Sequence, residues 1–295
     1  MYYMDEIELF SEPRNIIIPQ INGNIEMTEF ESAFLCGLIK RITPKKCVEV
    51  GIAEGGTTSV IMKCLSMIHG DNTNIPEIYA VDLSQKLYTD KNCNSGYLAK
   101  RAEKFVNDVK LELLLGDILP NRLGQIGGDI DFCLLDTTHT LPGEALDFLA
   151  VLPFMRNGGG VVFHDLITNQ SDQLSISGIA TPLVFHSING AKYINRKPKS
   201  DWNIPGTFPN IGAVIIDDDV RASAINVAGM LQLPWYYIPE DSHLQAYLKI
   251  YENYYDSNVI ELINNAITVN KNRLKNAGLK SRMLLVAKAL YRGKV

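Results

Sequence analysis

Two acids and two histidines stand at the ends of two apolar runs. Asp136 ends the run FCLLD and His139 lies three residues further on, while His164 and Asp165 end the run GGGVVFHD. The carboxyl ends of neighbouring parallel strands lie about 5 Å apart, so these four side chains are expected to converge on one crevice of a sheet. That crevice is the expected active site, and a histidine with a pKa of about 6.5 is suited to removing a proton there.

Each of these side chains also has a purely structural interpretation. His164 can hydrogen-bond to a strand carbonyl, Asp165 can cap the turn that follows, and His139 can be an ordinary loop histidine between the threonines of TTHT. Asp136, directly at the end of an apolar run, is the strongest candidate of the four.

A glycine turn follows the first apolar run, where VEV is succeeded by Gly51 and then by Gly55 and Gly56. Glycine is needed where backbone must approach a ligand closely, and a following helix offers free N–H groups. The spacing is not G-x-G-x-x-G, the pattern that seats a pyrophosphate, and better fits a turn over which a ligand's chain lies. Asp82 closes the next run, where a carboxylate can accept the hydroxyl protons of a ribose, and Asp117 closes the third. Both aspartates have the alternative role of helix caps.

Short apolar runs and helical patterns alternate from residue 46 onward, and these elements must position the candidate residues. The runs are CVEVGI, EIYAVDL, LELLLGD, DIDFCLLD and GGGVVFHDL, with helices predicted over about 57–68 and 97–109. This alternation is typical of a parallel sheet that is covered on both faces, so the predicted fold class is α/β, doubly wound. A helix ended by Pro44 is predicted ahead of the sheet from an apolar strip that comprises Phe30, Phe34, Leu35, Leu38 and Ile39.

The alternation breaks after Leu166. Residues 167–210 are rich in Ser, Asn, Gly and Pro and are too long for an ordinary connection, so they are interpreted as a lid or pocket wall. The alternative is a long loop anchored to the core by its larger side chains, which are Phe185, His186, Trp202 and Phe208. Two further strands are predicted at IGAVIID and PWYYIP, followed by helices from about 241. The predicted organisation is an N-terminal helical cap (1–45), a main domain (46–240) and a C-terminal helical extension (241–295).

Charge and cysteine usage narrow the function classes. The net charge of -5 argues against a general nucleic-acid binder, although residues 271–295 carry eight basic and no acidic side chains. That tail is interpreted as a solvated helix face, with a membrane surface or a subunit interface as alternatives; a homo-oligomer stays open. The five scattered cysteines indicate neither disulfides nor a thiolate zinc site. With no signal segment and no membrane-spanning run, a cytoplasmic location is expected.

The ordered set of motifs resembles a known family. E-x-G-x-x-x-G-G, then A-V-D, G-D, L-L-D-x-x-H and G-G-x-x-x-x-H-D are similar to the class I S-adenosylmethionine-dependent methyltransferases. Within that class the chain resembles the branch acting on hydroxyls of sugars and other natural products, which includes macrolide-sugar O-methyltransferases and cephalosporin-hydroxylase-like proteins. The resemblance covers roughly residues 46–240 and implies the strand order 3-2-1-4-5-7-6, with strand seven antiparallel.

The same resemblance implies roles for single residues around the cofactor. Glu49, Gly51 and Gly55 would line S-adenosylmethionine at its methionine end, Asp82 would hold the ribose, and Asp117 with Ile118 would border the adenine.

A second set of roles concerns the reacting groups. Asp136, His164 and Asp165 match positions that hold a divalent cation, and His139 matches a general base. One departure is that His164 stands where a magnesium site commonly has an acid. An imidazole there favours manganese, iron or zinc, or the absence of a metal.

The resulting expectation is methyl transfer to a hydroxyl of a small molecule, such as a sugar or a glycoside. Amine, carboxylate and carbon acceptors stay open because the same base would serve them. The alternatives are a nicotinamide-dependent oxidoreductase, against which the glycine spacing argues, and an inactive methyltransferase-like scaffold that docks through its basic tail.

Overall fold

One mixed sheet organises the part of the chain that the computed structural model describes, which is residues 7–23, 25–70, 75–167, 180–195 and 210–276. The strand order is β3-β2-β1-β4-β5-β7-β6. Strands β1 to β5 are parallel to one another, whereas β7 is antiparallel to both β5 and β6. The predicted doubly wound α/β fold and the strand order implied by the resemblance are therefore confirmed. The strands are β1 (Lys46–Val50), β2 (Glu77–Asp82), β3 (Lys110–Leu115), β4 (Ile130–Leu135), β5 (Met155–His164), β6 (Lys192–Tyr193) and β7 (Ile211–Ile215).

Helices flank this sheet. The predicted helix before the sheet is confirmed as α2, where a capping box sets the start: Thr28 Oγ1 accepts from the Glu31 backbone N–H, and Glu31 Oε2 accepts from the Thr28 N–H. The described helices are α1 (Glu12–Ile21), α2 (Glu29–Ile42), α3 (Gly56–His69), α4 (Tyr97–Ala102), α5 (Leu119–Ile126), α6 (Gly143–Val151), α7 (Thr181–Ser187), α8 (Asp218–Ala222), α9 (Ala224–Met230), α10 (Asp241–Tyr254) and α11 (Ser257–Asn276).

Apolar side chains of the central strands alternate between two cores. Along β4, Cys133 and Leu135 belong to the core that also contains residues of α5 and α6. Phe132 and Leu134 belong to the opposite core, which α2 and α3 cover. Because side chains of a strand point alternately to its two faces, both faces of the sheet are buried, and only its ends are open to ligands.

The predicted strand at PWYYIP is wrong, because residues 234–239 form no strand. Trp235 is buried in the core instead, where its indole N–H donates to the Leu231 carbonyl and its backbone N–H donates to Asn270 Oδ1, both at 2.7 Å. The backbone N–H of Tyr236 donates to the Leu141 carbonyl at 2.8 Å. The segment that suggested a strand is thus anchored by its backbone to α11 and to the loop before α6, and by the Trp235 side chain to the core.

The sixth strand lies inside the region that the sequence suggested as a lid. It is β6, whose Lys192 and Tyr193 pair with β7, and a two-residue strand leaves no apolar run to detect. Phe185 and His186 lie on α7, while Trp202 and Phe208 lie outside the described residues, as does the tail from 277 onward. The helix predicted over 97–109 ends already at Ala102.

Candidate active site

A cleft of about 670 Å³ opens at the carboxyl ends of β1, β2 and β4. The loops after these strands line the cleft, as do four residues from the end of the main domain and the start of the C-terminal extension: Tyr237, Glu240, His243 and Tyr247. The cleft is thus placed at the edge of the sheet where doubly wound folds bind their ligands.

The turn after β1 is built around glycines with positive φ. Gly51 has a φ of 86°, and a Cβ there would lie 1.9 Å from the Asp136 carbonyl oxygen. Gly55 has a φ of 84°, and a Cβ there would lie 2.9 Å from the Gly96 Cα. Both glycines are therefore required by close approach of the chain to itself, in addition to any ligand that crosses the turn.

Asp82 ties this turn to β2. Its Oδ2 accepts hydrogen bonds from the backbone N–H groups of Ile52 and Ala53 at 3.1 and 3.3 Å, and its Oδ1 accepts from the Ser84 N–H at 2.8 Å. The carboxylate also lines the cleft. The structure thus gives Asp82 a role in holding the turn, and its binding of a ribose stays a prediction.

Asp117 and Ile118 border the cleft after β3. Asp117 Oδ1 accepts from the Ile118 backbone N–H at 2.8 Å and from Asn121 Nδ2 at 2.7 Å, which anchors the start of α5. These bonds do not cap α5, because its N-cap residue is Ile118 and no described side chain bonds the free N–H groups of its first turn. Contact of Asp117 with an adenine stays a prediction.

Glu49 is a buried carboxyl group that faces the cleft from β1. Its side chain is 1% exposed, and its Oε2 has no hydrogen-bond partner among the described residues. Burial raises the pKa of Glu49 to about 8; the nearby Thr58 hydroxyl opposes the rise, and the charges of Asp136 and Asp82 add to it. A buried acid with an unused oxygen is suited to receive a cationic group of a ligand.

The four acid and histidine candidates converge as expected. His139 Nε2 lies 2.9 Å from Asp165 Oδ2 and 3.7 Å from Asp136 Oδ1. His139 and Asp165 have φ values of 55° and 59°, a left-handed backbone that non-glycine residues rarely adopt. Such backbone geometry is common where side chains are held for function.

His164 lies behind this group. It is 6% exposed, its Nδ1 lies 3.3 Å from Asp136 Oδ2, and its Nε2 lies 3.6 Å from Glu31 Oε2. Burial alone would lower the pKa of His164, but Asp136, Glu31 and Asp165 outweigh it and raise that pKa well above its usual value. His164 is therefore a buried link between the Asp136 carboxylate and the capping box of α2.

A divalent cation fits three of these residues. One ligand atom each of Asp136, His139 and Asp165 lies within 4.8 Å of the other two. This set contains His139, whereas the set predicted from the sequence contained His164. The assignment of His164 as a ligand stays a prediction. Two carboxylates and one imidazole are a donor set for manganese, iron or zinc rather than magnesium.

Several residues around the cleft were not predicted from the sequence. The acid and histidine group is contacted by Glu31 on α2, by Glu144 on α6 and by Asn210, which directly precedes β7. Asp147 and Tyr247 line the cleft and are joined by a 2.6 Å hydrogen bond from the tyrosine hydroxyl. The Thr28-x-x-Glu31 pattern indicates a helix cap, but it does not indicate that Glu31 also contacts His164. The other residues have no local sequence signal.

Residues 48–166 match a family model described as a methyltransferase domain. No curated protein matches the chain. Among solved structures, an O-methyltransferase from Bacillus cereus in complex with S-adenosylhomocysteine is 14% identical, covers 70% of this chain and 91% of its own, and has a TM-score of 0.47. An O-methyltransferase of tomaymycin synthesis from Streptomyces achromogenes, in complex with S-adenosylmethionine, is 13% identical, with coverages of 70% and 89% and a TM-score of 0.46.

The family match runs from the middle of β1 to just beyond β5, which includes the glycine turn and the acid and histidine group. This part of the chain is therefore similar to a methyltransferase domain, and the sheet has the strand order that the resemblance implied. No described helix combines the length and the apolar character that a membrane crossing needs.

Proposed function

We propose that this chain transfers a methyl group from S-adenosylmethionine to a hydroxyl oxygen of a small molecule, a sugar or a glycoside in the first instance. The observation that carries the proposal is a single cleft that joins the glycine turn after β1 to the group formed by Asp136, His139 and Asp165. A donor over the turn and an acceptor beside the acids would meet within that cleft.

The cofactor end of the cleft suits S-adenosylmethionine. Asp82 would face the ribose hydroxyls, and Ile118 offers an apolar surface next to the cleft. Glu49 presents a buried carboxyl with a free oxygen, to which the ammonium group of the methionine part would donate.

The reacting end requires alignment and proton removal. S-adenosylmethionine supplies a methyl group on a positively charged sulfur, so the protein has only to orient the acceptor oxygen and take its proton. His139 Nε2 faces the cleft beside two carboxylates, which places a base where an acceptor hydroxyl would lie. In this proposal Asp136 and Asp165 hold the acceptor, or a cation that orients it.

The C-terminal side of the cleft supports a hydroxyl-rich acceptor. Tyr237, Glu240 and His243 bring polar side chains of three different chemistries to the lining of the cleft. Several separate donors and acceptors are what a sugar needs for orientation, since each of its hydroxyls requires a partner on desolvation.

Calorimetry and a transfer assay test the proposal separately. S-adenosylhomocysteine should bind at one site per chain, and label from the methyl group should appear in sugar or glycoside acceptors of a panel that also contains amines and carboxylates. Asp136→Asn should abolish transfer while leaving cofactor binding largely intact. The exposed Asp218→Asn on α8 is the matched control and should keep full activity.

Two outcomes contradict the proposal. If the chain binds no adenosyl compound, the cofactor assignment is wrong. If it methylates only amines, the assignment of a hydroxyl acceptor is wrong. Repeating the assay with EDTA and with added Mn²⁺ tests whether Asp136 and Asp165 hold the acceptor directly or hold a cation. A cation at these two carboxylates would also occupy His139 Nε2, so transfer would then depend on the added ion.

A further inference from the structure

A carboxyl group faces His139 from the side opposite the cleft. It belongs to Glu144 in the first turn of α6, whose side chain is 0% exposed. Glu144 Oε1 lies 3.3 Å from His139 Nδ1 and accepts a 2.5 Å hydrogen bond from the His139 backbone N–H. One carboxyl oxygen therefore contacts both the backbone and the ring of the same histidine.

The backbone bond explains part of this arrangement. His139 has a φ of 55°, and a bond from its N–H to Glu144 helps to hold the loop in that conformation. It does not explain why the same oxygen also lies against the imidazole ring. The first turn of a helix favours a negative charge, so α6 also stabilises a carboxylate at this place.

We propose that Glu144 is a positioning residue, which holds the His139 ring with Nδ1–H directed at Glu144 and with the Nε2 lone pair directed into the cleft. This inference rests on the proposed function, in which Nε2 takes a proton or binds a cation. Both of those roles need an unprotonated Nε2, so both need the proton of the neutral ring on Nδ1.

Burial decides between the two tautomers. The alternative tautomer would place the proton on Nε2 and donate it to Asp165 Oδ2 at 2.9 Å, leaving two acceptors face to face at Nδ1 and Glu144. Glu144 is fully buried, so no solvent could screen that contact. Asp165 has a 17% exposed side chain at the cleft, and its Oδ1 also accepts from Asn210 Nδ2 at 2.8 Å. A contact between two acceptors is therefore tolerated better between His139 Nε2 and Asp165 than between His139 Nδ1 and Glu144, because water or a ligand can enter on the Asp165 side.

Glu144→Gln separates the two contacts. The glutamine carbonyl oxygen can still accept from the His139 backbone N–H, which preserves the loop, whereas the neutral amide is a weaker partner than a carboxylate for Nδ1–H. A structural residue would tolerate this change, and a positioning residue would not. The exposed Glu252→Gln on α10 is the matched control.

Nitrogen NMR of ¹⁵N-histidine-labelled protein in EDTA reads the ring directly. The chain has five histidines, and His139→Gln identifies the signals of His139 by their loss. The expected result in the unmodified chain is a protonated Nδ1 and a bare Nε2. In Glu144→Gln the proton should move toward Nε2, while kcat falls by about ten- to a hundredfold and the cofactor KM stays unchanged.

Two results would overturn the proposal: a bare Nδ1 in the unmodified chain, or ring signals and kcat that Glu144→Gln leaves unchanged. If Glu144→Gln does not fold, the tautomer of the unmodified chain still decides. A chain that methylates no acceptor would refute the proposed function, yet the ring measurement would still confirm or refute the role of Glu144, so the two failures are distinguishable.

Discussion

Binding of S-adenosylhomocysteine is expected to displace a proton from Glu49. This carboxyl is buried at the carboxyl end of β1 beside the glycine turn, and burial raises its pKa to about 8. In the ligand-free protein at pH 7, Glu49 is then about 90% protonated. The ligand's ammonium group, placed beside it, would favour the ionised form and return the pKa toward its ordinary range.

The magnitude follows from that shift. About 0.9 protons should be released per bound ligand at pH 7, because the carboxyl changes from mostly protonated to ionised. Since the ionised form binds, the association constant should rise by about tenfold per pH unit below pH 8 and level off above it. The sign is fixed: a raised acid pKa in the free protein makes low pH unfavourable for binding.

Calorimetry at pH 7 in buffers of different ionisation enthalpy measures the released protons. Glu49→Gln should show no proton release and an association constant that does not change between pH 6 and 8. Glu252→Gln, an exposed substitution on α10, should behave like the unmodified chain. Ligand binding without proton release in the unmodified chain, or equal release in Glu49→Gln, would refute the reasoning.

Three further substitutions test the packing of the cleft and of the segment that Trp235 anchors. Gly51→Ala should abolish cofactor binding and lower the melting temperature in a thermal scan, because its Cβ would lie 1.9 Å from the Asp136 carbonyl oxygen. Burial raises the pKa of Asp147 to about 7, so the unmodified chain should lose up to about 4 kcal/mol of stability between pH 4 and 7 relative to Asp147→Asn, measured by urea unfolding. Asn270→Ala should cost about 2 to 4 kcal/mol in the same assay, since Asn270 is buried and its amide holds the Trp235 backbone.

Gly124→Ala is matched to Gly51→Ala, because a Cβ at Gly124 meets nothing within 4 Å, and it should bind the cofactor normally. A pH-independent difference between Asp147→Asn and the unmodified chain would contradict the raised pKa. Asn264→Ala, on the exposed side of α11, controls for Asn270→Ala; equal losses in both would show that the buried amide is not special.

Much of the fold was predictable because parallel strands and their helical crossovers produce an alternation of apolar runs and helical patterns in the sequence. The runs that became β1 to β5 are nearly continuous apolar segments, as a sheet covered on both faces requires. The strand order came from the resemblance, since no local pattern encodes which strands are neighbours. The run PWYYIP misled because aromatic residues are favoured both in strands and in packing between helices, and only tertiary contacts of Trp235 decide between them.

The site was predictable only where topology alone brings residues together. Asp136, His139 and Asp165 follow neighbouring strands, so their convergence needs no further information. Glu144 and Glu31 reach the same group from helices, and nothing in their local sequence indicates this contact. The perturbed pKa of Glu49 likewise depends on complete burial, which a sequence pattern does not quantify.

The most direct measurement of the central claim is a crystal structure with bound S-adenosylhomocysteine. The expected result places the ligand across the turn at Gly51, with its ribose at Asp82, its amino group at Glu49 and its sulfur facing the cleft toward His139. An adenosyl ligand bound elsewhere, or a cleft that stays closed by side chains at saturating ligand, would contradict the account.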